Sequence, residues 1–168
     1  MPVTYRAVML TAKGGPEVLQ VVRLPVEPPG TGQLRIRVRA AGVGATELIM
    51  LTGGYLYAPK IPFVPGYEVA GVVDALGPGV TGFELGQRVG ALTVYGGFAE
   101  LLVREAEHFL PIPERVSDRD AAAVILNYGQ PGKCSIASQR SSRVKRPWSL
   151  ARREALGLRL CSFCDWPE

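Results

Sequence analysis

The sequence predicts a mainly β (α+β) domain over residues 1–115, built as a partly closed antiparallel barrel with short helices. Three observations predict it. Short apolar or β-branched runs recur at 5–10, 19–24, 34–40, 69–76, 88–94 and 98–103, turn-forming glycines and prolines fall between them, and only two segments read as helical. At 168 residues with 47% hydrophobic and 20% charged side chains, the chain is long and apolar enough to bury one core.

Each element follows from local pattern. Residues 5–10 and 19–24 are antiparallel neighbours joined across Gly14-Gly15-Pro16, and Pro25, Pro28 and Pro29 end the second. Residues 34–40 alternate strictly, which sets Leu34, Ile36 and Val38 on a core face and Arg35, Arg37 and Arg39 on a solvated one. Residues 45–51 form a short helix ended by Thr52-Gly53-Gly54. Residues 88–94 and 98–103 are strands around Tyr95-Gly96-Gly97. Ser117 and Asp120 have capping-box spacing before Ala121-Ala122-Ala123, so a helix starts there, and residues 116–129 form its opening.

The most informative stretch runs from Gly66-Tyr67-Glu68 through Gly71 and Gly77-Pro78-Gly79 to Gly86-Gln87-Arg88-Val89. Residues 69–76 read as a buried strand, with Gly71 marking close approach of another backbone. Residues 77–82 match G-x-G-x-x-G after a strand, yet no helical periodicity follows to offer a pyrophosphate its N–H groups; a β-turn is the better reading.

This glycine pattern resembles the signature of the medium-chain dehydrogenase/reductase superfamily over residues 5–128. The resemblance implies a GroES-like fold for residues 1–115, the alcohol dehydrogenase-like N-terminal domain that walls one side of an active cleft. In zinc-dependent members a histidine ligand stands where this chain has Tyr67, and a cysteine ligand where it has Gly44. The resemblance therefore points to the zinc-independent quinone and enone reductases, with NADPH (or NADH) as cofactor and no zinc. Tyr55, Tyr67 and Glu68 are the catalytic candidates, with Tyr57 and Tyr95 behind them; Gly44 and Asn127 are the cofactor-side candidates. For each tyrosine a packing role competes, and Glu68 could equally be a buried carboxylate satisfied by backbone donors.

Residue chemistry supports a metal-free site. A catalytic zinc needs three protein ligands, and residues 1–129 contain no cysteine and one histidine, His108, which is placed at a strand end in a surface or locally hydrogen-bonded role. Cys161 and Cys164 are C-x-x-C spaced, with only Cys134 to join them. Without a Lewis acid, an acceptor that spreads developing negative charge over a conjugated system is favoured, so the expected substrate is a small quinone or enone.

Composition breaks near Gly129. Residues 1–129 carry 11 basic and 12 acidic side chains, residues 130–168 carry 8 and 3, and all three cysteines and both tryptophans lie in the second part. No strand, glycine fingerprint and ribose-binding acid of a doubly wound domain can be read after Tyr128. The expectation is a truncated or frame-shifted reductase with its Rossmann domain missing, inactive alone, with a basic, disordered or out-of-frame segment at 130–168. The rival is a non-catalytic GroES-like module whose basic tail attracts nucleic acid or acidic lipid. Neither a signal pattern nor an apolar run of about 18 residues is present, so a cytoplasmic protein is expected.

Overall fold

The computed structural model describes residues 3–128; the expectations for 130–168, with its cysteines and basic side chains, lie outside the described residues. The first strand, β1 (Thr4–Leu10), pairs antiparallel with β2 (Leu19–Pro25) in unbroken register from Thr4 opposite Pro25 to Leu10 opposite Leu19. A five-stranded sheet follows, made of β3 (Gln33–Ala41), β4 (Glu68–Leu76), β5 (Arg88–Leu92), β6 (Leu101–Glu105) and β7 (Phe109–Pro111). Its spatial order is β6-β3-β4-β5-β7, and every pairing is antiparallel. Helix α1 (Ala45–Leu51) packs through Met50 and Leu51 against Leu10 of β1 and Phe63, and α2 (Asp118–Tyr128) packs on the five-stranded sheet. Single bridges tie β1 to the connecting segments, Ala7 to Ala99 and Leu10 to Phe63, and the sheets do not close into a complete barrel.

Strand β4 is buried on both faces, which explains its continuous apolar run. Val69 and Val73 enter a core with Leu34, Ile36, Val89, Leu102 and Phe109. On the other face Ala70, with Ala40, meets Ala121 and Ala122 of α2, small residues that let the helix lie close to the sheet. Gly71 is required by sterics: a Cβ there would collide with the Arg37 carbonyl oxygen on β3. The turn reading of residues 77–82 holds. Gly79 and Gly82 have φ of +78° and +80°, the Val80 N–H donates to the Gly77 carbonyl at 3.3 Å, and the next regular element is β5. Ser117 caps α2 as its spacing predicts, accepting the Asp120 N–H at 3.1 Å and donating to its carboxylate at 2.8 Å.

Two expectations change. The strands on either side of Tyr95-Gly96-Gly97 are shorter than read and do not pair with each other; β6 crosses to the far edge beside β3. The reason lies in the loop's hydrogen bonds: Gly96, Gly97 and Phe98 donate to the carbonyls of Val64, Gly66 and Pro65 at 2.7, 3.1 and 2.9 Å, so the backbone groups a hairpin would use are already satisfied. Arg35 and Arg37 are not simply solvated; both bind Asp74 on β4, at 2.7 and 3.0 Å. His108 keeps its surface place, in an exposed 3-10 turn, Ala106–His108, ahead of β7.

Candidate active site

The site forms where the loop before β4 meets α1. Gly66 has φ +106°, and a side chain there would strike the backbone of Gly97 and Phe98. Buried Thr93 pins this corner, its hydroxyl donating to the Gly66 carbonyl and its N–H to the Tyr67 carbonyl, both at 2.7 Å. Glu47, buried on α1, holds the same corner from the other side. One carboxylate oxygen accepts the Tyr67 N–H at 2.9 Å, and the other accepts the Gly44 N–H at 2.8 Å, closing the first turn of α1.

Held in this way, the Tyr67 side chain packs beside Leu10, Met50, Leu51 and Phe63 and meets Tyr55. The two phenol oxygens are 2.8 Å apart, and the rings stand edge to face at 5.9 Å. Burial, and next the hydrogen bond to Tyr67, push the Tyr55 hydroxyl up to about 12, so it is a protonated donor at neutral pH. In such a pair one hydroxyl donates to the other, and the accepting tyrosine keeps its own proton to offer a third group.

Glu68 follows Tyr67 directly but serves the opposite side. Its carboxylate accepts the Leu126 N–H of α2 at 2.6 Å and lies over Gly42, where a Cβ would overlap it. Burial raises its carboxyl to about 7; the neighbouring Glu47 charge adds to the rise and the Leu126 N–H opposes it. Backbone satisfaction, the plainer of the two roles expected for Glu68, is therefore present.

Of the residues singled out from sequence, Tyr55 and Tyr67 come together, and Tyr57 joins them at 5.8 Å from Tyr55 while remaining exposed. Tyr95 does not; its neighbour is Arg104, 4.9 Å from its ring. Gly44 is the N-cap of α1, with its N–H already engaged by Glu47. Asn127 lies in the last turn of α2, and its side chain is outside the described residues. Sequence reasoning missed Glu47 and Thr93. The first was findable, since Gly44 and Glu47 have the spacing of an N-cap and its N3 glutamate. Among the described residues no three His, Cys, Asp or Glu side chains converge as metal ligands.

Residues 30–114 match the alcohol dehydrogenase GroES-like domain. The chain belongs to that family, and with it to the medium-chain dehydrogenase/reductases. The GroES-like chain is 39% identical over 123 residues to the human synaptic vesicle membrane protein VAT-1 homolog-like, covering 73% of this chain and 29% of the relative. The rat quinone oxidoreductase is 38% identical over 125 residues, with 73% and 38% covered. The crystal structure of the human VAT-1 homolog-like protein superposes with a TM-score of 0.72 at 38% identity, over 75% of this chain and 41% of that one. A structure of mycobacterial Rv1454c complexed with NADPH gives 0.65 at 36% identity, over 73% and 38%. The chain thus spans between a quarter and two fifths of the length of these curated relatives. Among the described residues no helix is long and apolar enough to cross a membrane.

The described residues do not by themselves fit NADPH. Every strand pairing among them is antiparallel, and the glycine-rich turn at 77–82 leads into no helix, so the N–H cradle a pyrophosphate needs is not built here.

Proposed function

We propose that this domain is the acceptor-binding wall of a zinc-independent, NADPH-dependent quinone or enone reductase of the cytoplasm. The observation that carries the reading is the 2.8 Å Tyr55–Tyr67 hydroxyl pair; the family resemblance aligns Tyr67 with the histidine ligand of zinc-dependent members. Tyr67 and Gly44 supply neither imidazole nor thiolate at those positions. The unshared hydroxyl proton of the pair binds the oxygen of a conjugated carbonyl and stabilises the charge that reduction places on it. Gly66, Thr93 and Glu47 keep Tyr67 in place for that contact. Glu68 has no part in the hydroxyl pair; it ties α2 to the cleft wall.

The chain of 168 residues in isolation is expected to bind acceptor without turning it over. Titration with duroquinone, followed by tyrosine fluorescence, should show binding that weakens about fivefold in Tyr67→Phe, the loss of one neutral hydrogen bond. Under the same conditions NADPH oxidation should stay at the uncatalysed rate. Micromolar NADPH binding by the chain, or duroquinone affinity indifferent to Tyr67→Phe, would contradict the reading.

A further inference from the structure

A cavity of about 440 Å³ lies between the β1–β2 hairpin, residues 59–64 and β6. None of Tyr55, Tyr67, Glu47 and Glu68 lines it, and Phe63 stands between it and Tyr67 as a shared wall. Its volume falls in the range of small-molecule sites, and Tyr5, Phe63 and Tyr95 give it aromatic walls.

Arg104 is its unusual member. On β6, Leu102 lies opposite Ile36 and Arg104 opposite Leu34, and both β3 partners are fully buried, so Arg104 occupies a core-facing position in the strand's alternation. Burial lowers the proton affinity of its guanidinium, the direction expected of a cation withdrawn from water. Its partners are neutral: the carbonyls of Val103 and Tyr95, at 2.8 and 2.7 Å, and the face of the Tyr95 ring. Gly96 is shaped to this arrangement, since at φ +92° a Cβ would sit 2.7 Å from the guanidinium. Arg6, Arg35, Arg37 and Arg88 each bridge a carboxylate, whereas among the described residues Arg104 has none within ion-pair distance. Glu27, the acid lining the same cavity, is exposed at its edge and acts on Tyr5. A half-buried cation with only neutral partners, set between aromatic walls, is complementary to an anion carried on a flat apolar ring.

We propose that this cavity binds a small aromatic carboxylate, with Arg104 as its counter-ion and Tyr5, Phe63 and Tyr95 around its ring. The test uses the full chain and 1-naphthoate, with 1-naphthalenemethanol as the uncharged match, in calorimetric titrations at pH 7 and amide NMR. The acid should bind with submillimolar affinity, at least about tenfold tighter than the alcohol, the worth of a charge-assisted contact. Arg104→Met should remove that tenfold preference. Should Arg104→Met fail to fold, the acid-to-alcohol ratio and the shift map of the unsubstituted chain decide, and the largest shifts should fall at Gly96 and Gly97. Equal affinity for acid and alcohol, no binding at millimolar acid, or shifts centred on Gly44 and Tyr67 would overturn the proposal. An inward charge can also guard an edge strand such as β6 against pairing with another chain; that role alone predicts no naphthoate binding, which likewise overturns the site.

Discussion

The two ends of β4 treat a carboxylate in opposite ways. At the far end Asp74 is a strand residue clamped by Arg35 and Arg37; burial would raise its carboxyl, but the two arginines outweigh it and hold the group below its ordinary value. At the near end Glu68 has a backbone N–H and a second glutamate for company, and its carboxyl rises to about 7. A strand that only needed to pack could have placed apolar side chains at 67 and 68. Glu68 is instead buried without a cationic partner, an environment of the kind that sites use to shift a carboxyl. The far end clamps two strands together, and the near end adjoins the hydroxyl pair to which the proposed function assigns the chemistry.

Gly71 joins the two ends, and the largest effect is expected there. In Gly71→Ala the new methyl meets the Arg37 carbonyl, a backbone group that cannot rotate away, so β3 and β4 must separate. Loss of about 3 kcal/mol in chemical denaturation is expected. Near-native stability would mean that the β3–β4 approach does not hold the ends in one frame.

Glu68 sharpens the contrast through pH. A carboxyl whose folded value is raised to about 7, from 4.5, binds its proton more tightly in the folded chain. The folded state therefore carries the extra proton between those values, and stability falls as pH rises from about 4.5 through about 7, then levels off. Solvent screening holds the fall to about 1–2 kcal/mol. Glu68→Gln should flatten this segment of the stability-against-pH curve while leaving the acid-side loss from Asp74, whose value is lowered, in place. An unchanged slope in the variant would assign the dependence to another group.

How much of this was legible in the sequence depended on how local the cause was. The turn at 77–82 and the Ser117 cap are set by residues within a few positions, and the structure keeps both; Gly71 announced a close approach by its lack of a side chain, but not that Arg37 on β3 is the neighbour. Both members of the hydroxyl pair could be named from their places in a known pattern, but the bond between them crosses a loop with no periodicity. The partnership of β6 with β3 was hidden for the same reason, since the competing bonds from residues 96–98 go to residues 64–66, about 30 positions away. The spacing of Gly44 and Glu47 gives only the capping half of Glu47's role; its second bond, to the Tyr67 N–H, comes from 20 residues away. The arginine ladder on β3 reads as solvated because its counter-ion lies on a neighbouring strand, 39 residues from Arg35.

That ladder supplies the smallest expected effect and the finest division within the far end. Arg35 and Asp74 are each only 17% exposed at the side chain, whereas Arg37 is 63% exposed and touches the same carboxylate from the solvent side. Water already solvates most of the Arg37 cation, and Arg35 remains on Asp74 when Arg37 is removed. Arg37→Ala should therefore cost no more than about 0.5 kcal/mol, and raising salt should erase most of that. Arg35→Ala also deprives the Glu27 carbonyl of its 2.9 Å donor and leaves Asp74 with one weakly held partner, so its cost should exceed the Arg37 value at every salt concentration. If the two variants are equal in urea denaturation, the far end behaves as a diffuse surface charge array, and its contrast with the buried, unpaired Glu68 loses its physical basis.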